Sequence, residues 1–493
     1  MNEKSLKSKT VSGMFWKLLE RTAAQAVTFI VSVILARLLT PEDYSVINIV
    51  AIFFAFANVF IYSGLNTALI QKKDADNSDY SSVLYLSIIF AVIIYALIFA
   101  FSPLIASIYN KDILISVLRI MGLTLIINAF NSVLCAFISN RLEFKKFFFA
   151  TIIGTVVSAF TGIIMAKNGC GPWALVAQQM SNALIDTVVL WIITGFKPIK
   201  AFSLNRLKPL FNYSWKLMAS AFINTLYDES YPLIIGIKFS PGDLAFYSKG
   251  RQMPSIMNSV IGDSISAVIF PVMAKMQDSR ESLLNYTRTF IKATTFLIFP
   301  VMLGAFAVSD NLIIVLLTEK WLPASIYLKL FCVAFMFTII HNAHLQTIRA
   351  TGKSNIILKL EIVKKISYTV IILLALFFSD KPQVLAFVSI ITALIATVLN
   401  TQPNVKLIGY KYIDQFRDVS MNFMSSIIMC ITVYALNYIH INNKPVLLTI
   451  QIFTGAVVYF VINLIVKNEA LSLLKDIVWT VFKSFGEKDN ASD

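Results

Sequence analysis

The chain has 493 residues, 57% of them hydrophobic and 14% charged, with a mean hydropathy of +0.74. Soluble domains carry about 25% charged residues, so a water-soluble globular fold is excluded. At about 20 apolar residues per helical span, the chain has room for roughly fourteen spans and little else. Its formal charge of +15, from 42 Lys+Arg against 27 Asp+Glu, would point to nucleic acid in a soluble chain. In a membrane protein, basic residues first report topology.

Lys4, Lys7 and Lys9 precede the first apolar stretch, as in a secretory signal. That stretch is long, contains Glu20 and Arg21 and lacks a small-residue cleavage pattern, so it reads as a retained first span. Fourteen apolar stretches follow one another: 14–38, 45–66, 82–108, 113–138, 147–167, 173–195, 211–237, 254–275, 290–317, 323–348, 357–379, 384–408, 418–439 and 446–467. They are too long for barrel strands and lack polar/apolar alternation. An all-α polytopic membrane protein of about fourteen spans is expected. With an interior N-terminus, most basic residues fall on the interior side, among them Arg141, Lys145, Lys146, Lys197, Lys200, Arg206 and Lys208. Both termini are then cytoplasmic, and the basic excess gives no case for nucleic acid. Residues 469–485 read as an interfacial amphipathic segment. Cys135, Cys170, Cys332 and Cys430 show no CxxC spacing, so neither a disulfide framework nor a zinc site is expected.

The two halves of the chain resemble each other at an offset of about 200 residues. Trp16-Lys17-Leu18 recurs as Trp215-Lys216-Leu217, and Pro41-Glu42-Asp43 as Pro241-Gly242-Asp243. Gly64 matches Gly262, and Ala68-Leu69-Ile70 matches Ala267-Val268-Ile269. Leu118-Arg119-Ile120 faces Leu328-Lys329-Leu330, each followed by a basic turn, 141–145 and 349–353. An even number of spans separates the copies. The pattern therefore gives two parallel six-helix lobes, 1–200 and 201–412, related by an axis along the membrane normal with a cavity between them. Two added spans (413–467) and a cytoplasmic tail (468–493) complete the chain.

Ionisable groups at membrane depth usually face a bundle interior or a watery cavity. Arg119 and Lys329 stand at equivalent depths of the two copies. Arg37, Lys238, Lys249 and Arg251 lie at span ends on the side where topology disfavours cations. Together these six are candidates for binding an anionic cargo, since Arg grips phosphate bidentately and Lys acts as a point charge; the alternative is snorkelling or pairing with an acid. Asp186, Asp228, Glu229 and Asp263 are candidates for a coupling proton or for structural ion pairs. Glu20 and Arg21 read as a solvated cytoplasmic pair. His341 and His344 share a helix face but lack a carboxylate partner for a metal, and read as polar lining near the cytoplasmic mouth. No GxxxxGK[ST], HExxH or GxSxG motif is present, so ATP hydrolysis and hydrolase chemistry are not expected. No metal or cofactor is implied.

Specific stretches resemble a known family. Trp16…Ala36-Arg37-Leu38-Leu39-Thr40-Pro41-Glu42-Asp43-Tyr44 and Gly64-Leu65…Ala68-Leu69-Ile70-Gln71 are similar to the first-span signature of Wzx-type polysaccharide flippases. Arg141–Lys146, 231–236, 244–251 and 269–272 resemble the same family over most of the chain. Ser45 and Ala245 stand where relatives often carry glycine. The family lies in the multidrug/oligosaccharidyl-lipid/polysaccharide exporter superfamily, and the resemblance is nearest its colanic-acid and teichuronic-acid exporter branch. It implies a two-lobed, non-enzymatic transporter in the bacterial inner membrane. That transporter would move undecaprenyl-diphosphate-linked oligosaccharide units outward for O-antigen, capsule or exopolysaccharide synthesis by alternating access. Implied partners are membrane lipids, a polysaccharide polymerase and a chain-length regulator. Two other readings stay open: a cation-coupled drug antiporter, which would need a more acidic cavity, and a membrane glycosyltransferase or polymerase, which would need catalytic carboxylates or a large outer loop.

Overall fold

The computed structural model describes residues 3–62, 65–72, 75–141, 143–200, 202–275, 279–351, 353–439 and 441–471. These form fifteen α-helices and two short 3₁₀ turns: α1 (Glu3–Leu38), α2 (Pro41–Tyr62), α3 (Leu65–Gln71), α4 (Asn77–Tyr109), α5 (Ile113–Arg141), α6 (Lys145–Lys167), α7 (Trp173–Thr194), α8 (Leu204–Lys238), α9 (Pro241–Lys275), α10 (Arg280–Leu317), α11 (Ala324–Ala350), α12 (Ser354–Phe378), α13 (Gln383–Leu407), α14 (Tyr412–Ala435) and α15 (Lys444–Ile465). Apart from the seven-residue α3, each helix coincides with one apolar stretch of the sequence. Among the described residues, eleven of the helices are long and apolar enough to cross a membrane, and α8, α9 and α12 are not among them. For α8 and α12 the difference is chemical: within α8 lie Arg206, Lys208, Lys216, Asp228, Glu229 and Lys238, and within α12 Lys359, Glu361, Lys364 and Lys365. Most side chains of the C-terminal part of α9 lie outside the described residues.

Surface composition agrees with a lipid solvent. Phe377 is 83% exposed, Phe378 79% and Ile192 72%, an arrangement that water would penalise. The interior carries instead the small and hydroxyl residues that let membrane helices approach. On α9, a Cβ at Gly250 would stand 2.8 Å from the Ala324 carbonyl oxygen, so only glycine admits α11 this closely.

The sequence repeat reappears in local geometry. At the start of α2, Thr40 N and Oγ1 both donate to Asp43 Oδ2 at 2.9 Å, and Asp43 N donates back to Thr40 Oγ1 at 3.2 Å. At the start of α9, Ser240 N and Oγ donate to Asp243 Oδ2 at 3.2 and 2.7 Å, and Asp243 N returns a bond to Ser240 Oγ at 3.0 Å. Both are reciprocal caps that satisfy the orphan amides of a helix N-terminus, and Pro follows the cap in each, where its missing N–H costs nothing. Packing repeats as well: α4 on α5, α5 on α7 and α6 on α7 correspond to α10 on α11, α11 on α13 and α12 on α13. The added helices α14 and α15 pack on each other and on α10.

The chain divides into two compact units, 1–245 and 246–493. In the first, α8 packs against α2, α3 and α4, and aromatic contacts among Tyr80, Phe137, Trp191 and Phe196 fill the core. Ser45 is fully buried. It donates to the Glu42 carbonyl at 2.6 Å and accepts from Lys111 Nζ at 3.0 Å. Burial pushes the Lys111 ammonium below its ordinary value, opposed by the nearby Glu42 and Asp43 carboxylates. All four cysteines are free. Of the tail expected at 468–493, residues 472–493 lie outside the described residues.

Candidate transport site

Arg37, Arg119, Asp186, Asp228, Glu229 and Lys238 belong to the first unit; Lys249, Arg251, Asp263 and Lys329 belong to the second. Arg119 lies six residues, about 9 Å, inside α5, and Lys329 five residues, about 7.5 Å, inside α11, at 1.5 Å per residue. Each reaches back to the preceding helix. Arg119 Nε donates to Ser102 Oγ at 3.1 Å, and its guanidinium carbon stands 4.1 Å from the centre of the Phe99 ring. Lys329 Nζ instead donates to both carboxylate oxygens of Asp310 at 2.9 Å. Among the described residues Arg119 has no ion-pair partner, so two equivalent positions present different chemistry: a guanidinium with donors to spare, and an ammonium already matched to an acid.

Arg37 and Lys238 occupy the last turns of α1 and α8, exposed, where a cation also complements the helix dipole. Lys238 Nζ lies 5.6 Å from the Phe239 ring. Lys249 is only 6% exposed, donates to Gln252 Oε1 at 3.2 Å and stands 5.8 Å from the Trp321 ring. Arg251 stands 6.0 Å from the Phe331 ring. These two cations line an aromatic wall in which Tyr247 meets Tyr327 and Phe331 edge-on, a setting that favours cation–π contact.

Among the acids, Asp186 on α7 accepts from Asn131 Nδ2 on α5 at 2.9 Å, and Asn131 is held further by Thr187 and Cys135. Close approach of α6 supports this cluster: a Cβ at Gly154 would stand 3.3 Å from Asp186 Cβ. Asp228 is exposed and Glu229 half-buried on α8. Asp263 lies on α9 in a stretch whose side chains are outside the described residues. Glu20 departs from the solvated reading: Thr151 Oγ1 on α6 donates to its Oε1 at 3.2 Å.

His344 is also unlike its expected role as mouth lining, being fully buried between Asn404 and Gln415. Sequence reasoning missed the partners: Ser102 and Asp310 for the two cations, Asn131 for Asp186, and the acid Asp418. Asp418 accepts from Arg288 Nε and NH2 at 2.7 and 2.8 Å, from Tyr410 OH at 2.9 Å, and lies 3.3 Å from Lys292. A lone Asp within an apolar helix was the available signal for Asp310; Asp418, beside Arg417 and four residues after Asp414, had none. Between α10, α14 and α15 an apolar groove of about 360 Å³ is lined by Pro300, Gly304, Met429, Val433, Gly455 and Tyr459.

A duplicated bundle of apolar helices, with cations and acids held inside it, defines a multi-pass membrane transport protein of the multidrug/oligosaccharidyl-lipid/polysaccharide exporter fold. The chain belongs to the polysaccharide biosynthesis protein family, whose model matches residues 34–326. It is 22% identical to the succinoglycan biosynthesis transport protein ExoT of Rhizobium meliloti, over 96% of each chain. It is also 22% identical to the lipopolysaccharide biosynthesis protein WzxC of Escherichia coli, covering 73% of this chain and 74% of that one. In fold it is similar to the lipid II flippase MurJ in an inward closed conformation, with a TM-score of 0.74 at 15% identity, covering 94% of this chain and 100% of MurJ.

Proposed function

We propose that this protein flips undecaprenyl-diphosphate-linked oligosaccharide units from the inner to the outer leaflet of the bacterial cytoplasmic membrane, with both termini cytoplasmic and no catalytic step on the cargo. The lobes are those of the sequence repeat, 1–200 and 201–412, rocking in alternating access, with 413–467 as an addition. The observation that carries the reading is Arg119, a cation inside an apolar helix that meets a hydroxyl and a ring and, among the described residues, no carboxylate, in a family of polysaccharide biosynthesis proteins. A guanidinium seated on a ring and a hydroxyl keeps donors for a diphosphate. Lys329, Arg37, Lys238, Lys249 and Arg251 supply further positive charge along the path, and the polyprenyl tail stays in the bilayer.

The test is reconstitution of the full chain into proteoliposomes carrying an undecaprenyl-diphosphate oligosaccharide, with leaflet exposure read by an impermeant glycan-cleaving enzyme. Translocation well above that of protein-free vesicles is expected. Equal rates overturn the proposal, and extrusion of a cationic drug in the same vesicles would favour an antiporter.

A further inference from the structure

Helix α8 presents two exposed faces of opposite character. At about 100° per residue, Ser220, Asn224, Tyr227, Asp228 and Tyr231 fall within an arc of about 100°, spaced by the three and four residues that share a helix face. Exposed Trp215, Ile223, Leu226 and Ile237 occupy a separate arc. Beside that arc Phe222 packs on Phe56 and Phe60 of α2, with ring centres 5.7 and 5.8 Å apart. The apolar arc suits lipid, and the polar arc does not. Asp228 lies ten residues, about 15 Å, from the C-terminal end of α8, and 24 residues, about 36 Å, from its start. That depth is well inside a hydrocarbon core about 30 Å thick. Ser220, Asn224 and Asp228 are all exposed there, and a carboxylate exposed at membrane depth faces water rather than lipid. The polar arc therefore borders a watery path, which accounts for a helix too polar to be surrounded by lipid.

The chemistry of the arc is specific. Between Ser220 and Tyr231 the chain has no cation, so a diphosphate finds nothing to pair with here. Hydroxyls, one amide and one carboxylate are what it offers. The Tyr227 and Tyr231 hydroxyls stand 3.0 Å apart, with their rings edge-on at 5.9 Å. Ser230 Oγ donates to the Tyr227 carbonyl at 2.6 Å. Tyr231 is buried and Tyr227 half-buried, so the tyrosine pair is a fixed support beside the exposed acid. Among the described residues, Asn224 and Asp228 have no hydrogen-bond or ion-pair partner.

We propose that this face of α8 binds the neutral sugar rings of the cargo, with Asn224 and Asp228 as specificity-determining residues. The inference rests on the transport reading above and concerns the glycan, not the diphosphate. The two oxygens of a carboxylate accept from neighbouring ring hydroxyls, and an amide donates and accepts at once. Tyrosine adds a hydroxyl and an aromatic ring, apolar body and polar tip together. A site built to hydrogen-bond hydroxyls discriminates strongly against a ligand that lacks them, because its polar groups are then left unmatched.

The test compares two probes on the full chain in nanodiscs by equilibrium binding: undecaprenyl diphosphate, and the same lipid carrying the oligosaccharide extracted from the host membrane. The wild type is expected to bind the glycan-bearing lipid at least tenfold more tightly. Asp228→Asn and Asn224→Leu should each weaken that binding about tenfold and leave undecaprenyl diphosphate unchanged. Tyr227→Phe, which loses only a hydroxyl, should weaken it several-fold, and Ile223→Ala, on the apolar arc, should alter neither probe. Equal affinity of the wild type for the two lipids overturns the proposal. So does an undiminished preference for the glycan in Asp228→Asn and Asn224→Leu, or an equal loss for both probes. Loss of an ion-gradient response in Asp228→Asn, with that preference intact, would give the acid to ion coupling instead. Selective binding without translocation in proteoliposomes would refute the transport reading and uphold the sugar site.

Discussion

Lys329 Nζ sits 2.9 Å from both carboxylate oxygens of Asp310, 19 residues earlier in the chain and on the adjoining helix. Its counterpart in the first half, Arg119, meets a serine hydroxyl and a phenyl face instead. The repeat has kept the place of the cation and the direction in which it reaches, and has changed what meets it. A cation without an acid has more attraction left for an anionic cargo. Arg119→Ala is therefore expected to lower export about tenfold or more, the equivalent of losing one charge-assisted bond of roughly 1.5 kcal/mol or more, at unchanged protein level. Arg119→Lys, which keeps the charge and loses the fork, should recover part of it. Surface polysaccharide per cell, normalised to membrane-inserted protein, is the measurement.

For Lys329 the question is whether the charge serves Asp310 or the cargo. Asp310 is 52% exposed, so the pair itself is worth no more than about 1 kcal/mol. If the ammonium acts on cargo, Lys329→Gln lowers export several-fold, whereas Asp310→Asn, which frees the ammonium, does not. Equal losses in both variants, with recovery in the charge-swapped double variant, would assign the lysine to a structural pair alone.

Fourteen helices and a duplicated bundle were legible because both rest on local patterns: apolar run length, Pro with an acid at a helix start, and cation spacing after a turn. Partners were not. Arg288 and Asp418 are 130 residues apart, as are Asp76 and Arg206, and only packing of α14 on α10 or of the α4 start on α8 brings them together. His344 illustrates the limit from the other side. Its i, i+3 relation to His341 was visible, but its burial was decided by Asn404 and Gln415, residues that have no signature outside the folded helix packing. The short α3 was missed because seven residues are too few to show a helical period.

Asp418 anchors the added helices. Its side chain is 3% exposed and receives Arg288, Tyr410 and Lys292, while Lys292 also holds Glu469 at 2.7 Å. Removing one member of such a network leaves buried charge uncompensated. Asp418→Ala is expected to cost about 3 kcal/mol, with a lower melting temperature in detergent, whereas Glu469→Gln, whose acid is 78% exposed, should cost little. A melting temperature unchanged in Asp418→Ala would remove the anchor.

At the start of α4 the acids follow a different rule. The Asp79 backbone N–H and the Arg206 guanidinium, 2.6 Å away, hold the Asp76 carboxyl below its ordinary value. A depressed carboxylate contributes stability that is complete above its unfolded value near 3.9 and is lost as pH falls through the folded one. Thermal stability should therefore decline on acidification below about pH 4, and less steeply in Asp76→Asn. Arg206→Gln, which removes part of that depression, should make the decline smaller. Asp76 is largely exposed, so the effect is small and grows at low ionic strength. Parallel acid profiles for wild type and Asp76→Asn would deny the linkage.

The paired caps offer the sharpest test of duplication. Thr40 with Asp43 and Ser240 with Asp243 make the same three bonds at an offset of 200 residues. If the two turns do the same physical work, Asp43→Ala and Asp243→Ala each cost about 1 kcal/mol, the usual worth of an N-terminal cap. Sharing no hydrogen-bond partner, they should add in the double variant to within about 0.5 kcal/mol. Asp43 has one further neighbour: a Cβ on Gly171, whose φ is +54°, would stand 3.0 Å from Asp43 Oδ1. Gly171→Ala should therefore disturb the first cap and leave the second untouched. Amide hydrogen exchange in the first turns of α2 and α9 reads each cap separately, and faster exchange confined to α2 in Gly171→Ala is the expected result.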